Sequence, residues 1–213
     1  MPALLGLLVF SVLLIPGDSL ECETCRGPGF NCTGTMVNCS AAEDSCAVTV
    51  LEATVAQLTT REVMKGCVSP HICGLESFYL NLGKMITARG TAVCCEGDDC
   101  ASVSPQVPPI SSKANGKKCP ACFSLYPPCS TEEAECTGDE DYCLDATIKS
   151  GVNEITVKGC TTKSFCAVVQ EMIGTPFHAS ETLNAQCKPA NKAPSSRFPL
   201  LALLGLLAVK IAL

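Results

Sequence analysis

The chain has no tryptophan, and aromatic residues fill only 5% of its 213 positions. A domain so poor in large side chains buries little apolar area, so something other than core volume must hold it together. Histidine is scarce too, with only His71 and His178. Neither stands near residues that would build a Ser–His–Asp or Cys–His constellation, so the chain is read as non-enzymatic. Charge is sparse and acidic: 15 Lys and Arg against 21 Asp and Glu. Between Leu20 and Asn191 the tally becomes 12 basic against 20 acidic, a net of −8. Nucleic acid and anionic lipid both need a basic surface, so neither is expected as the main ligand, whereas a basic protein is compatible. No helical period is visible, which argues against a thioredoxin-like βαβ unit.

What the chain does have is cysteine, 18 of them. An even, high count in a chain with so little core material predicts covalent staples, and staples persist only in an oxidising compartment. The ends agree with that route. Met1 to Ile15 is apolar apart from Ser11, too short for a membrane span, and Gly17 and Ser19 sit at −3 and −1 of a cut before Leu20. Residues 1–19 are therefore read as a cleaved signal peptide, although its start lacks Lys and Arg. Residues 188–213 form a tail in which a polar stretch precedes sixteen mostly apolar residues, FPLLALLGLLAVKIAL. This resembles a GPI-attachment signal with Asn191 as the attachment residue, two before the small Ala193. Lys210 is a defect in that pattern, and a short tail anchor or an unprocessed secreted tail is the alternative.

Self-comparison reveals an internal repeat. Cys22, Cys25, Cys32, Cys39 and Cys46 recur as Cys119, Cys122, Cys129, Cys136 and Cys143, with identical intervals at an offset of 97. CTG follows at 32–34 and 136–138, ED-x-C at 43–46 and 140–143, and KGC at 65–67 and 158–160. Cys73 and Cys166 come next, then Cys94 and Cys187 after equal gaps. The expected organisation is one module over 20–100, a proline-containing linker over 101–118, and a second module over 119–187. Alternating apolar stretches at 46–55, 61–67, 77–82 and 91–95 read as strands, and those at 143–149 and 154–160 as a hairpin around SGVN. The fold class is all-β.

The CxxC pairs Cys22/Cys25 and Cys119/Cys122 raise a zinc ribbon, but no second pair lies at ribbon spacing and histidine is too scarce. Structural disulfides are the reading, with no metal and no cofactor. Spacing by itself does not fix which cysteines join.

The pattern C-x2-C-x6-C-x6-C-x6-C, a KGC, C-x5-C and, in the first copy, a closing CC-x4-C resembles the Ly-6/uPAR superfamily of three-finger domains. The resemblance covers nearly all of the chain between its two ends and implies two tandem disulfide-rich three-finger domains. It also implies the pairs Cys22–Cys46, Cys25–Cys32, Cys39–Cys67, Cys73–Cys94 and Cys95–Cys100, then Cys119–Cys143, Cys122–Cys129, Cys136–Cys160 and Cys166–Cys187. Two departures stand out: Ala101 replaces the usual Asn after the last cysteine, and the second copy lacks the final bridge. Its closing strand after Cys187 is therefore expected to be less firmly held.

Paired modules with a shortened second copy resemble gamma-type phospholipase A2 inhibitors and their two-domain relatives. That resemblance implies an extracellular, secreted or membrane-anchored protein whose ligand is another protein, a secreted phospholipase A2. The alternative it implies is a GPI-anchored surface receptor or adhesion protein without phospholipase binding. Two candidate surfaces follow from the residues. Glu132, Glu133, Glu135, Asp139, Glu140, Asp141 and Asp145 crowd the second module's first finger, as a patch for a basic partner or as a solvated loop. An EF-hand's spacing and glycine are missing there. In 77–90, Phe78, Leu80 and Leu82 alternate like a half-buried strand, which leaves Tyr79 and Met85 open as contact residues. Asn31-Cys-Thr and Asn38-Cys-Ser are glycosylation sequons, and a bridge at the central cysteine competes with glycan transfer.

Overall fold

A computed structural model of the chain describes residues 20–75, 77–125, 128–129, 132–173 and 181–192. The leader 1–19, the tail beyond 192 and His178 lie outside the described residues. The described chain divides into two compact units, residues 20–54, 58–78 and 89–108 in the first and 55–57, 79–88 and 109–192 in the second.

Six strands come from the first repeat: β1 (Glu21–Pro28), β2 (Thr35–Asn38), β3 (Ser45–Val55), β4 (Leu58–Val68), β5 (Phe78–Asn81) and β6 (Ile86–Cys95). In the first unit they lie side by side in the order β2-β1-β4-β3-β6. β1 pairs antiparallel with β2, Glu21 opposite Asn38, and with β4, Cys25 opposite Lys65. Along β3 the alternation puts Val48 and Val50 inward, where both are fully buried with Val63 of β4. Cys22, Cys46 and Cys100 complete this small core. Sulfur fills the space that aromatic rings would fill elsewhere.

The second unit contains β7 (Ala114–Ser124), β8 (Glu132–Thr137), β9 (Tyr142–Ser150), β10 (Asn153–Thr161), helix α1 (Lys163–Glu171), β11 (Glu181–Pro189) and β12 (Asn191–Lys192). β9 runs between β10 and β11 with nine paired positions on each side. β10 also pairs with β7 and, through Cys160 and Thr161, with Asn81 and Leu80 of β5. Residues 79–88, which belong to the first repeat in sequence, therefore pack inside the second unit. Gly159 makes that approach close: a Cβ there would come within 2.1 Å of the Asn81 carbonyl oxygen. The buried residues of the second unit form two small clusters, one of Cys119, Ala121, Ala134, Cys136, Cys160 and Ala190, the other of Leu144, Ala146, Val169 and Ala185.

Nine disulfides pin the loops, five in the first unit and four in the second, with Cα–Cα distances from 5.1 to 5.9 Å. Cys94 joins Cys73 and Cys95 joins Cys100, so the doublet serves two different bridges. Neighbours on a strand point to opposite faces, which is why one pair of adjacent residues can do this.

Two expectations are corrected. The sequence shows no helical period, yet 163–171 is an α-helix with Thr162 at its N-cap accepting from the Phe165 N–H. The first copy carries Ser69-Pro70 to Gly74 at the corresponding place and forms only a five-residue 3-10 turn. There Gly74 weakens the helix, whereas its counterpart Ala167 lets it continue. The signal was Cys166, Val168 and Val169, which α1 buries, but nine residues are too few for a period to stand out. The segment after Cys187 also continues in backbone pairing without a last disulfide. Lys188 and Pro189 pair with β9, the Ala190 N–H donates to the Asp141 carbonyl, and Asn191 pairs with Lys118. Backbone hydrogen bonds replace the missing bridge.

Candidate functional site

Two cysteine triplets, Cys22/Cys39/Cys67 and Cys119/Cys136/Cys160, bring their sulfurs within 4.8 Å of one another. Every one of these sulfurs is in a disulfide, and no described cysteine is free. Metal ligation needs a thiolate, so the clusters are the crossing point of the knot rather than ligand sets. Among the described residues His71 is the one histidine, and it lies in the 3-10 turn at 70–74.

The acids of the second module's first finger separate into three kinds. Glu133 and Glu135 project from β8 into solvent, flanking Lys118 at 4.0 and 3.5 Å. Asp139, Asp141 and Asp145 are also exposed, with Lys117 holding Asp141 and Lys158 holding Asp145, each at 2.7 Å. Glu132 turns toward the 79–88 segment and accepts from the Lys84 N–H at 3.0 Å. Gly83 is required beneath it, because its φ is +97° and a Cβ would lie 2.7 Å from that carboxylate.

Glu140 is different and corrects the expectation of a solvated acid. It is only 5% exposed, accepts from the Thr137 N–H at 2.7 Å and from the Asn81 amide at 3.4 Å. Burial pushes its carboxyl above the usual glutamate range, with those hydrogen bonds opposing the shift. A buried carboxylate in a turn organises the loop Thr137–Asp141, and it presents nothing to a partner.

The apolar residues of 77–90 also divide. Phe78 and Leu82 are buried and Leu80 is half-buried. Tyr79 is engaged inside the second unit: its hydroxyl donates to the Pro109 carbonyl at 2.9 Å, and its own carbonyl accepts from Thr161 Oγ1 at 2.7 Å. Met85 remains 56% exposed, and its carbonyl receives the Ala56 N–H at 2.8 Å. Ala56 and Gln57 form the two-residue turn between β3 and β4, both left-handed with φ of 48° and 72°. Such turns favour Asn-Gly, so side chains here hold a costly conformation. Val55 and Leu58 on either side of the turn are exposed. Of the two contact residues read from the sequence, Met85 is exposed and Tyr79 is half-buried, with its hydroxyl hydrogen-bonded.

One charge cluster escaped the sequence reading. Glu52 is buried and binds two guanidiniums, Arg61 of β4 and Arg89 of β6. Arg89 also donates to the Pro108 carbonyl at 2.7 Å, and Arg61 lies over the Phe30 ring at 4.1 Å. Arg89, then Arg61, holds the Glu52 carboxyl below its ordinary range. The available signal was alternation: Val48, Val50 and Glu52 share one strand face, so a carboxylate was due on the buried side. Arg61 faces Glu52 across the short β3–β4 hairpin, whereas Arg89 is distant in sequence and becomes a neighbour only when β6 lies beside β3. The sequon residues Asn31 and Asn38 are both exposed, the latter at the end of β2, and Asn191 is exposed in β12.

An all-β chain of finger-like hairpins tied at a disulfide knot, with no ligand-competent cysteine among the described residues, defines a u-PAR/Ly-6 class protein. Residues 115–193 match the u-PAR/Ly-6 domain model, and residues 20–102 match the model of the phospholipase A2 inhibitor family. The chain is 31% identical over 186 residues to a phospholipase A2 inhibitor gamma subunit of Gloydius brevicaudus siniticus, covering 85% of this chain and 92% of the relative. It is 33% identical to a phospholipase A2 inhibitor gamma subunit of Trimerodytes annularis, covering 83% and 99%. It is 29% identical to phospholipase A2 inhibitor PIP of Malayopython reticulatus, covering 92% and 100%. The crystal structure of mouse TEX101 is similar at 19% identity over 81% and 99% of the two chains, with a TM-score of 0.32. The chain belongs to the phospholipase A2 inhibitor family.

Proposed function

We propose that this protein is a non-enzymatic, extracellular binder and inhibitor of a secreted phospholipase A2. The observation that carries the reading is a relative named as an inhibitor gamma subunit that aligns along 85% of the chain, with the inhibitor family model matching residues 20–102. The disulfide framework is consistent with this reading, because it presents surface to a protein partner. In this reading two modules, 20–100 and 119–187, joined by 101–118, supply the binding surface. The contact residues are Met85 and the exposed acids Glu133, Glu135, Asp139 and Asp141, whose field favours a basic phospholipase. The test is a panel of secreted phospholipases assayed with the purified secreted protein. Dose-dependent loss of activity of at least one enzyme at sub-micromolar protein is expected. A panel with neither inhibition nor binding would sink the proposal and leave the receptor or adhesion reading.

That second reading is favoured by the apolar stretch 198–213, which fits a GPI signal acting at Asn191. An anchored protein at the outer plasma membrane and a phospholipase binder are compatible in one molecule.

A further inference from the structure

We infer that Asn38, and not Asn31, carries an N-linked glycan, and that this glycan shields the edge strand β2. Both asparagines begin an N-x-Ser/Thr sequon and both are exposed, so access in the folded protein does not separate them. The disulfides do. Cys32, beside Asn31, is bonded to Cys25, seven positions earlier in the chain. Its partner has already emerged when the sequon arrives, and the bridge can close at once around Asn31. Cys39, beside Asn38, is bonded to Cys67, 28 positions later. At about 5–20 residues per second of synthesis, that partner arrives about 1–6 s afterwards. The Asn38 sequon therefore stays extended and open during that interval.

In the transfer, Nδ2 of Asn38 attacks the anomeric carbon of a lipid-pyrophosphate-linked oligosaccharide. A C–N bond forms, the anomeric C–O bond breaks, the pyrophosphate leaves with the electron pair, and one amide proton is lost.

The second module shows what the glycan replaces. Among the described strands β2 pairs only with β1, and all four of its residues are exposed, including Met36 and Val37. At the repeat offset of 97, Met36 corresponds to Glu133, Val37 to Ala134 and Asn38 to Glu135. β8 likewise pairs only with β7, and it guards itself with the charges Glu133 and Glu135. Unprotected apolar edges invite pairing with other chains, and charge is one standard guard. The first module has no acid at these positions and has a sequon instead.

Translation of the full chain into microsomes reads out transfer without requiring the variant to fold. N38Q and S40A are expected to abolish the glycosidase-sensitive mobility shift, while N31Q and T33A retain it. A reductant present during translation is expected to add a second glycan, at Asn31. Absence of any glycosidase-sensitive shift, loss of the shift in N31Q, or no second glycan under reductant overturns the assignment. For the shielding role, secreted N38Q protein should self-associate in sedimentation where N31Q protein matches wild type; equal behaviour of the two overturns that role.

Discussion

Glu52 stands on the face of β3 that otherwise carries Val48 and Val50, and it remains there because two guanidiniums satisfy its carboxylate. Removing it leaves Arg61 and Arg89 without their shared anion. E52A is expected to lower unfolding stability by about 2–3 kcal/mol, at or below the usual cost of breaking a buried pair because Arg61 is a third exposed. Urea unfolding with the disulfides intact measures it. Glu140 works in the opposite direction. The carboxyl of Glu52 is depressed, so its contribution is present above the ordinary value of 4.5 and is lost as pH falls through the folded value. The carboxyl of Glu140 is raised, so between 4.5 and its folded value the native protein binds more protons than the unfolded chain. Stability from that group falls as pH rises through this window. E140Q should flatten the decline on the alkaline side of 4.5 in urea midpoints taken across pH. An unchanged profile would show that Glu140 is not buried as a titrating group.

The elements are short, and the bridges set how firmly each is held. Cys95–Cys100 closes a separation of 5 and Cys73–Cys94 one of 21. Loop-closure entropy then assigns about 2 kcal/mol to the first and about 3 kcal/mol to the second. Paired Cys→Ala replacement of each bridge, followed by thermal or urea unfolding, should reproduce that order. The second module omits the smaller clip and closes with β12 instead, where Asn191 pairs with Lys118 and Ala190 is buried. Dropping the least stabilising bridge is the change that a short β-pairing can most readily offset. The helix follows similar logic: α1 extends where the first copy has Gly74, and Cys166–Cys187 ties it to β11.

For the whole molecule, no helix among the described residues is long and apolar enough to cross a membrane. Phosphatidylinositol-specific phospholipase C is expected to release the protein from the surface of expressing cells, and retention after treatment counts against the lipid anchor.

The cysteine ladder made the architecture legible, because disulfide frameworks constrain spacing more tightly than apolar cores constrain identity. The repeat at offset 97, the strands around Val48–Val50 and Thr147–Ile148, and the all-β class were all readable along one dimension. Connectivity came through resemblance, since spacing is silent on which sulfur meets which. What the tertiary structure alone decided were relations between residues far apart in sequence. Glu140 looked like one more solvated acid until Asn81 and Thr137 closed over it. Tyr79 looked free until Pro109 and Thr161 took its polar atoms. Glu52 showed its place in an alternation, Arg61 lay across the same hairpin, and Arg89 arrived only with strand order. Local pattern fixes which face a side chain takes, because backbone geometry has a period. Which partner waits on that face depends on strands brought together by folding, and no period along the chain records it.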